Sequence, residues 1–452
     1  MRQRAAFQSR FGFYMAAIGS AVGLGTLWRF PYVTGVNGGG AFVLLYIFFV
    51  AAIGLPALIC ELMLGKLTRF NIVGAFKYKP WVGTEKKWSW FGLLGIIASF
   101  VVLSYYTVVS GWVIHFVIQG IMGRFTEPNS QPGNIIDQLT VRGYLQVLLA
   151  SVHLIITTSI VARGVQNGIE KTSRIFMPIL FVIMIFLLVH SLFLPGAPEA
   201  LRFLFYPDFA KLTGSAVIEA LGHALFTLSL GFGAMIAYGS YLRAEVKLPS
   251  EAVLVAGIDT VLALCTGVII FPIVFTAGVD SGTGPALLFK TMPVIFGTLP
   301  LGYWVGLAFF VCLYFAALSS SIALFEGLVA YLMDQRNLKR PQAAGVVSGV
   351  SFILALISAF SGSSFKNIRI GERGLLEIID QVIINWMLPV VTLGIILFVA
   401  TKVPEDVKKK EFVDETSLVT VRLYLTWLSA VKYLVPVLLV ILFLVQVIIA
   451  FL

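Results

Sequence analysis

Charged residues and cysteines are both scarce in this sequence of 452 residues. Asp, Glu, Lys and Arg together make up only 12% of the chain, whereas 59% of its residues are hydrophobic. A soluble domain of this composition would expose large apolar patches, so lipid is the natural solvent for the chain. The three cysteines, Cys60, Cys265 and Cys312, lie inside apolar segments without metal-binding or redox spacing, and we interpret them as buried thiols.

The sequence also lacks the common signatures of catalysis. HExxH, GxSxG and paired catalytic carboxylates are absent, and the predicted loops are short. We therefore expect no enzymatic activity and no organic cofactor; a membrane-embedded receptor or enzyme is the alternative from a different class. The net charge of +10 does not indicate nucleic-acid binding, because Lys and Arg cluster in the loops between apolar segments.

Long apolar segments recur along the whole chain. A bilayer span needs about 20 predominantly apolar residues, and we predict eleven spans, near residues 11–36, 40–66, 88–123, 143–162, 171–194, 215–242, 252–279, 302–334, 342–361, 378–401 and 424–451. Alternate loops, beginning with the N-terminal residues, hold most of the Lys and Arg residues, which places the N-terminus in the cytoplasm and the C-terminus outside. The loop at 124–142 has no cysteine and no glycosylation sequon, which favours a bacterial plasma membrane.

Two of these spans contain glycine clusters in corresponding positions. The first span reads GSAVGLG at 19–25, and the sixth reads TLSLGFG at 227–233. Glycine inside a helix costs about 1 kcal/mol relative to alanine, so both clusters predict helix breaks. Close helix packing is the alternative use of such glycines. Paired breaks at mid-membrane depth are typical of transporters, because an ion or ligand can satisfy the backbone groups that they free.

Several motifs, in this order, resemble the neurotransmitter:sodium symporter family, and in particular its bacterial LeuT-type amino-acid transporters. The motifs are Gly19 to Gly25, Trp28-Arg29-Phe30-Pro31, Asn37 to Phe42, Phe226 to Gly233 and Ser319 to Ser321. The resemblance extends from Arg4 to about residue 400. It implies an all-α polytopic membrane protein with discontinuous helices 1 and 6, two five-helix inverted repeats near 11–194 and 215–401, and a peripheral helix near 424–451.

The function implied by the resemblance is sodium-coupled symport of a small apolar L-amino acid by alternating access. A transporter of an amine or osmolyte is the alternative within the family. Amine-transporting relatives carry an aspartate in the first helix break, where this chain has Gly23, and this argues against an amine. We therefore predict an amino acid of the size of leucine, alanine, valine or methionine as the substrate, with membrane lipid as a further partner and no nucleic acid.

The resemblance also implies two sodium sites. The second site maps onto the carbonyl groups of Gly19, Val22 and Ala316 and the hydroxyl groups of Ser319 and Ser320. The first site maps onto Ala21, Thr26, Thr227 and Asp259, although the family has asparagine at the positions of Thr26 and Asp259. From the residues alone, Ser319 to Ser321 are also compatible with ordinary helix-packing serines.

Chloride is not expected to be required. Chloride-dependent members carry a hydroxyl group one turn after the span-seven asparagine, where this chain has Ala263, and the usual span-six glutamine is His223. We interpret Asp259 as the source of the missing negative charge, hydrogen-bonded to His223, and predict that it takes up a proton when the empty carrier returns. A purely structural polar pair of His223 and Asp259 is the alternative.

By the same resemblance, the substrate carboxylate would occupy the space at Gly23, near the amides of Leu24 and Gly25. The ammonium group would meet the carbonyls of Ala21, Phe226, Thr227 and Ser229. The side-chain pocket would consist of Val102, Tyr106, Phe226, Ser229, Phe232, Ser320 and Leu324, with Tyr106 and Phe226 as its lid. Arg29 with Asp380 would form the outer gate, and Arg4 with Asp334, Tyr241 and Phe7 the inner one. Glu61 is expected to support the break in span six.

Overall fold

The computed structural model describes residues 6–85, 87–128, 130–279, 287–365, 368–370, 373–412 and 418–451. Helices make up most of this part of the chain, as the sequence predicted. The strands among the described residues are a single antiparallel pair of two residues each, β1 (Arg369–Ile370) and β2 (Arg373–Gly374).

Among its described residues, and apart from short 3-10 helices at Pro132–Asn134 and Phe209–Lys211, the N-terminal half contains ten helices. In chain order they are α1 (Arg10–Ala21), α2 (Gly25–Val36), α3 (Gly40–Thr68), α4 (Ile72–Phe76), α5 (Lys79–Val82), α6 (Ser89–Ile121), α7 (Ile135–Thr140), α8 (Gly143–Ala162), α9 (Val165–Leu192) and α10 (Ala197–Phe205). The C-terminal half contains α11 (Gly214–Thr227), α12 (Ala234–Gly239), α13 (Leu248–Thr276), α14 (Leu287–Phe296), α15 (Gly302–Arg336), α16 (Arg340–Ala359), α17 (Leu375–Lys402), α18 (Glu405–Phe412) and α19 (Val421–Ile448).

Within the described residues, nine of these helices are long and apolar enough to cross a membrane. Helices α1 and α2 together form a tenth span, which is bent by 46°. The predicted span at 215–242 forms two shorter helices instead, α11 and α12, and neither is long enough to cross a bilayer alone. The total of eleven spans therefore stays a prediction, whereas the two predicted helix breaks are confirmed.

The first break lies between α1 and α2. The last amide bonded within α1 is that of Val22, which donates to the Ile18 carbonyl at 2.7 Å. Val22 itself has a ψ angle of 89°, far from the helical value, so its carbonyl turns away from the helix axis. Hydrogen bonding along the helix resumes where the Leu27 amide donates to the Gly23 carbonyl at 2.9 Å.

The second break occupies residues 228–233. Three of its residues have positive φ angles: Ser229 at 55°, Gly231 at 81° and Gly233 at 77°. Glycine adopts this conformation without a steric penalty, which explains two of the three positions. Ser229 is the exception, and its side chain is held by hydrogen bonds to Ser20, near the end of α1.

Helix α3 supports the second break from one side. The Glu61 carboxylate on α3 accepts a hydrogen bond from the Gly231 amide at 2.7 Å, as the sequence predicted. One turn further along α3, a Cβ atom added to Gly65 would lie only 2.0 Å from the Ile236 carbonyl oxygen on α12. Because the backbones of α3 and α12 approach so closely, the chain that follows the second break packs tightly against the long helix α3.

Candidate functional site

The two helix breaks touch each other in the middle of the bundle. The Ser229 hydroxyl of the second break donates to the Ser20 carbonyl of α1 at 2.9 Å, and the two serine side chains are 3.1 Å apart. On the other side of the breaks, the hydroxyl oxygens of Thr26 and Thr227 are 2.9 Å apart. All four residues are buried, so the polar groups freed by the breaks meet at one point inside the protein.

Asp259 on α13 brings a carboxylate to this point. The Thr26 hydroxyl donates to it at 3.0 Å, the Thr227 hydroxyl at 3.0 and 3.1 Å to its two oxygens, and the Tyr46 hydroxyl at 3.4 Å. Thr26 also reaches the Ala21 carbonyl at 3.2 Å. The structure therefore brings together Ala21, Thr26, Thr227 and Asp259, the four residues predicted for the first sodium site. Oxygen ligands with a single negative charge suit a small hard cation.

The predicted hydrogen bond between His223 and Asp259 is wrong, and so is the alternative of a structural polar pair. Neither ring nitrogen of His223 has a hydrogen-bond partner among the described residues. The imidazole packs between aromatic rings instead, 5.7 Å from Phe30 and 5.1 Å from Tyr46 between ring centroids. Hydroxyl groups already surround the Asp259 carboxylate, and this is why the imidazole does not reach it.

A second group of oxygens lies where α1 passes α15. The Ser320 hydroxyl donates to the carbonyls of Ser20 at 2.9 Å and Gly19 at 3.3 Å, and the Ser319 hydroxyl donates to the Ala316 carbonyl at 2.9 Å. A Cβ atom on Gly19 would lie 3.1 Å from the Ser319 Cβ, so the two helices are in close contact. These contacts bring together four of the residues predicted for the second sodium site, and the fifth, Val22, lies at the break itself.

Gly23 lies where a side chain does not fit. A Cβ atom there would be 2.2 Å from the Ser320 hydroxyl oxygen and 2.7 Å from the Tyr106 hydroxyl oxygen. The Leu24 amide, which the break frees, donates to the Tyr106 hydroxyl at 2.9 Å. An aspartate at position 23 would therefore fit only if both Ser320 and Tyr106 moved. The freed amide of Leu24 is suited to bind an anion.

Apolar and aromatic side chains surround this point. Phe226 and Phe232 contact each other edge to face with their ring centroids 6.0 Å apart, and a Cβ atom on Gly25 would lie 2.9 Å from the Phe226 ring. Val102 and Leu324 are buried in the same core. Val102, Phe226, Phe232 and Leu324, four of the predicted pocket residues, are thus apolar side chains close to the breaks.

A cavity of about 820 Å³ leads from the breaks to the surface. Its lining runs from Leu24, Tyr106 and Phe226, through Arg29 and Asp380, to the exposed Asp137 and Lys290. We call this cavity the vestibule. Residues of α2 line it, whereas no residue of α1 does, so α1 lies on the opposite side of the breaks.

An ion pair between Arg29 and Asp380 crosses the vestibule, as predicted for one gate. Sequence reasoning missed Tyr105, whose hydroxyl donates to the second oxygen of Asp380 at 2.7 Å. Only its place beside Tyr106 on α6 distinguishes this tyrosine, and that is not a usable sequence signal. The carboxylate of Asp380 is therefore held by two donors from two different helices.

At the other end of the bundle, the structure describes three of the residues predicted for the inner gate: Phe7, Tyr241 and Asp334. Arg4 lies outside the described residues. Asp334 accepts hydrogen bonds from the backbone and side-chain nitrogens of Asn71, both at 2.9 Å. Tyr241 packs against Phe7, with ring centroids 6.2 Å apart, and its hydroxyl donates to the carboxylate of Glu326.

Glu326 and Arg340 form a buried ion pair that sequence reasoning did not single out. Glu326 is fully buried within α15, and both its oxygens accept hydrogen bonds from the Arg340 guanidinium, at 2.6 and 2.9 Å. An ionisable residue inside a predicted span is a usable signal, because burying an unpaired charge is expensive. Position 326 within the span at 302–334 meets that criterion.

Comparison with known proteins agrees with this arrangement. The sodium:neurotransmitter symporter family model matches residues 4–131 and 125–451. The uncharacterized sodium-dependent transporter YhdH of Bacillus subtilis is 34% identical over 437 residues, which are 96% of each chain. An uncharacterized sodium-dependent transporter of Haemophilus influenzae is 33% identical over 451 residues, 98% of each chain.

A solved structure has the same fold. The crystal structure of MhsT in complex with L-phenylalanine matches with a TM-score of 0.91 and 37% sequence identity, covering 98% of this chain and 100% of MhsT. Since the family model and these relatives extend over nearly the whole chain, the protein is a multi-pass, sodium-dependent membrane transporter and not an enzyme. It belongs to the sodium:neurotransmitter symporter family.

Proposed function

We propose that the protein carries a small apolar L-amino acid across the plasma membrane together with sodium, by alternating access. The observation that carries this proposal is the crowding at Gly23, where Ser320 and Tyr106 leave no room for a side-chain carboxylate. A substrate must then supply its own carboxylate, which the Leu24 amide and the Tyr106 hydroxyl are placed to bind. An amine or osmolyte transporter fits this geometry less well.

The predicted side-chain pocket favours an uncharged substrate. Val102, Phe226, Phe232 and Leu324 offer no partner for a charged group, and burying such a group without one is unfavourable. Leucine, alanine, valine and methionine match this description. The structure of MhsT with L-phenylalanine supports an apolar amino acid as the substrate class.

Two sodium ions fit the oxygen groups described above. One would be bound by Ala21, Thr26, Thr227 and Asp259, and the other by Gly19, Val22, Ala316, Ser319 and Ser320. Each ion supplies positive charge where the broken helices expose carbonyl groups, so that substrate and ions stabilise the same closed arrangement of α1 and α11. This shared preference couples the movement of sodium to that of the amino acid.

Chloride is not part of the proposed cycle. The Asp259 carboxylate places a negative charge beside Thr26 and Thr227, where a chloride-dependent transporter needs an anion. The vestibule, which Arg29 and Asp380 cross, would face the outside, in agreement with a cytoplasmic N-terminus. Asp334 and Tyr241, with Arg4, would close the cytoplasmic side.

Uptake by purified protein in liposomes tests this function. An inward sodium gradient should drive accumulation of radiolabelled leucine, and unlabelled alanine, valine, methionine and phenylalanine should compete with it. Glutamate, lysine and dopamine should not. Equal uptake after replacement of sodium by potassium, or competition by dopamine alone, would contradict the proposal.

A further inference from the structure

Helix α1 separates the two helix breaks from the end of the bundle opposite the vestibule. Nine of its twelve residues are buried, and none of them lines the vestibule. Movement of α1 would therefore open a path from the breaks to that end. The helical hydrogen bonds are interrupted after the Val22 amide, where α1 meets α2 at an angle of 46°, so α1 can move as a unit about this point.

Carboxylates from two other helices hold α1. At its start, Glu170 of α9 accepts hydrogen bonds from the Gln8 amide at 2.7 Å and from the Ser9 amide and hydroxyl at 3.2 and 3.0 Å. This contact satisfies amide groups that precede the helix and places a negative charge at its N-terminus. Gly12 makes room for it, since a Cβ atom there would lie 2.0 Å from Glu170.

The second carboxylate is that of Glu251, in the first turn of α13. The Tyr14 hydroxyl of α1 donates to one of its oxygens at 3.1 Å. Glu251 is only 2% exposed, and its other oxygen is buried without a hydrogen-bond partner among the described residues. Arg10, one turn earlier on α1, is exposed and close enough to interact electrostatically with Glu251.

We propose that Tyr14 and Glu251 are positioning residues for transport: their hydrogen bond holds α1 against α13 and sets how readily α1 moves aside to open the cytoplasmic path. This inference rests on the alternating access proposed above. It assigns a specific role to the buried carboxylate: Tyr14 satisfies one of its oxygens when α1 is packed, and water reaches the carboxylate when α1 has moved. The contact with Glu170 lies at the end of α1 and acts independently.

Removal of the Tyr14 hydroxyl should favour the open position. In Tyr14→Phe, the buried carboxylate has no donor while α1 is packed, but it is still hydrated once α1 moves. A hydrogen bond to a charged group contributes enough that its loss should raise the ratio of open to packed α1 by about tenfold. Glu251→Gln keeps an acceptor for Tyr14 and removes the charge, so this variant should change the ratio little.

Hydrogen–deuterium exchange of the full-length protein in lipid nanodiscs, followed in peptides from α1 and α6, reports on the ratio of open to packed α1. Tyr314→Phe is the matched control, because the Tyr314 hydroxyl is buried without a partner among the described residues. We expect α1 of Tyr14→Phe to exchange about tenfold faster in sodium than wild type, with α6 unchanged. Glu251→Gln and Tyr314→Phe should resemble wild type, and Tyr14→Phe with Glu251→Gln should exchange more slowly than Tyr14→Phe alone.

Two outcomes would overturn the inference. One is unchanged exchange of α1 in Tyr14→Phe; the other is faster exchange throughout the protein with a lower melting temperature, which indicates a general loss of stability. Because exchange is measured with sodium and without substrate, it does not depend on the identity of the amino acid. If leucine uptake fails in the wild type while the effect on α1 persists, only the proposed substrate is wrong.

Discussion

The hydroxyl oxygens of Thr26 and Thr227 lie 2.9 Å apart, and both groups are hydrogen-bonded to the carboxylate of Asp259. One residue comes from each broken helix, so this contact ties the two halves of the fold together at the proposed first sodium site. Both threonine side chains are buried, so water cannot replace either hydroxyl group when it is removed.

Thr26→Val should weaken sodium binding. Valine keeps the shape of threonine but removes one proposed ligand and one hydrogen bond to Asp259, which contributes about 1.5–3 kcal/mol. We expect the sodium concentration for half-maximal leucine binding to rise about tenfold. Thr392→Val is the control, because the Thr392 hydroxyl is buried without a partner among the described residues. Equal sodium dependence in both variants would argue against Thr26 as a ligand.

Ser320→Ala tests the second proposed sodium site. The Ser320 hydroxyl bonds to the carbonyls of Gly19 and Ser20 across the contact between α15 and α1, and alanine is a good helix former. Sodium affinity and uptake should therefore fall, by about fivefold or more for a lost neutral hydrogen bond, while the protein stays folded.

The matched control for this variant is Ser351→Ala. Ser351 is a fully buried serine on α16 whose hydroxyl has no partner among the described residues, so its removal should leave sodium binding unchanged. Isothermal titration of sodium into both purified variants compares them directly. Wild-type sodium affinity in Ser320→Ala would remove this residue from the site.

The helix breaks and their oxygen groups were predictable from sequence because they depend on residue type. Glycines at 19–25 and 231–233 and hydroxyl groups at 227 and 319–321 are local patterns with a direct physical meaning. What could not be predicted is which polar groups pair across helices. His223 and Asp259 were expected to pair because of the positions that the family resemblance gives them, yet the hydroxyls of Thr26, Thr227 and Tyr46 surround the carboxylate.

Long-range ion pairs show the same limit. Arg29 and Asp380 were paired only through family resemblance, and Tyr105 as the second donor to Asp380 was missed. Such contacts join residues hundreds of positions apart, and their geometry depends on how the helices pack. No periodicity within one helix contains that information.

Transport should not require chloride. The Asp259 carboxylate, when ionised, supplies a negative charge beside Thr227, so replacement of chloride by gluconate should leave sodium-driven leucine uptake unchanged. Asp259→Asn removes this charge, and we expect it to lower uptake, to abolish proton counter-transport, and to make chloride stimulatory. Uptake in chloride and gluconate, with a pH-sensitive dye inside the liposomes, reports all three. Chloride-dependent uptake in the wild type, or proton flux that persists in Asp259→Asn, would contradict this interpretation.

Arg340→Met should destabilise the protein strongly. Glu326 is fully buried, and two of its hydrogen bonds come from Arg340. Removal of one partner from a buried ion pair costs about 3–5 kcal/mol, whereas replacement of both partners by apolar residues is often neutral. The melting temperature of Arg340→Met in detergent should therefore fall, and Arg340→Met with Glu326→Met should recover most of it. If the double variant is less stable than the single one, the pair is not the source of the effect.

Asp380 should matter more for the rate of transport than for the binding of substrate. Its carboxylate pairs with Arg29, whose side chain is only 8% exposed, and accepts a hydrogen bond from Tyr105 across the vestibule. Asp380→Asn keeps the shape and an acceptor but leaves the Arg29 charge without its counter-ion. The ion pair lies between the proposed binding site and the surface. Loss of a largely buried charge pair should raise the barrier to closing the vestibule by about 1.4 kcal/mol or more, so the maximal uptake rate should fall at least tenfold.

Tyr105→Phe separates the charge from the hydrogen bond. This variant removes one donor to the carboxylate and leaves the ion pair intact. The Asp380 side chain is 20% exposed, so water can partly replace the lost donor, and the uptake rate should fall by less than about tenfold and by less than in Asp380→Asn. Leucine affinity measured at equilibrium should be close to wild type in both variants, because neither residue touches the Gly23 region. If Asp380→Asn transports at the wild-type rate, or if it loses equilibrium binding as completely as uptake, the ion pair does not act as a gate.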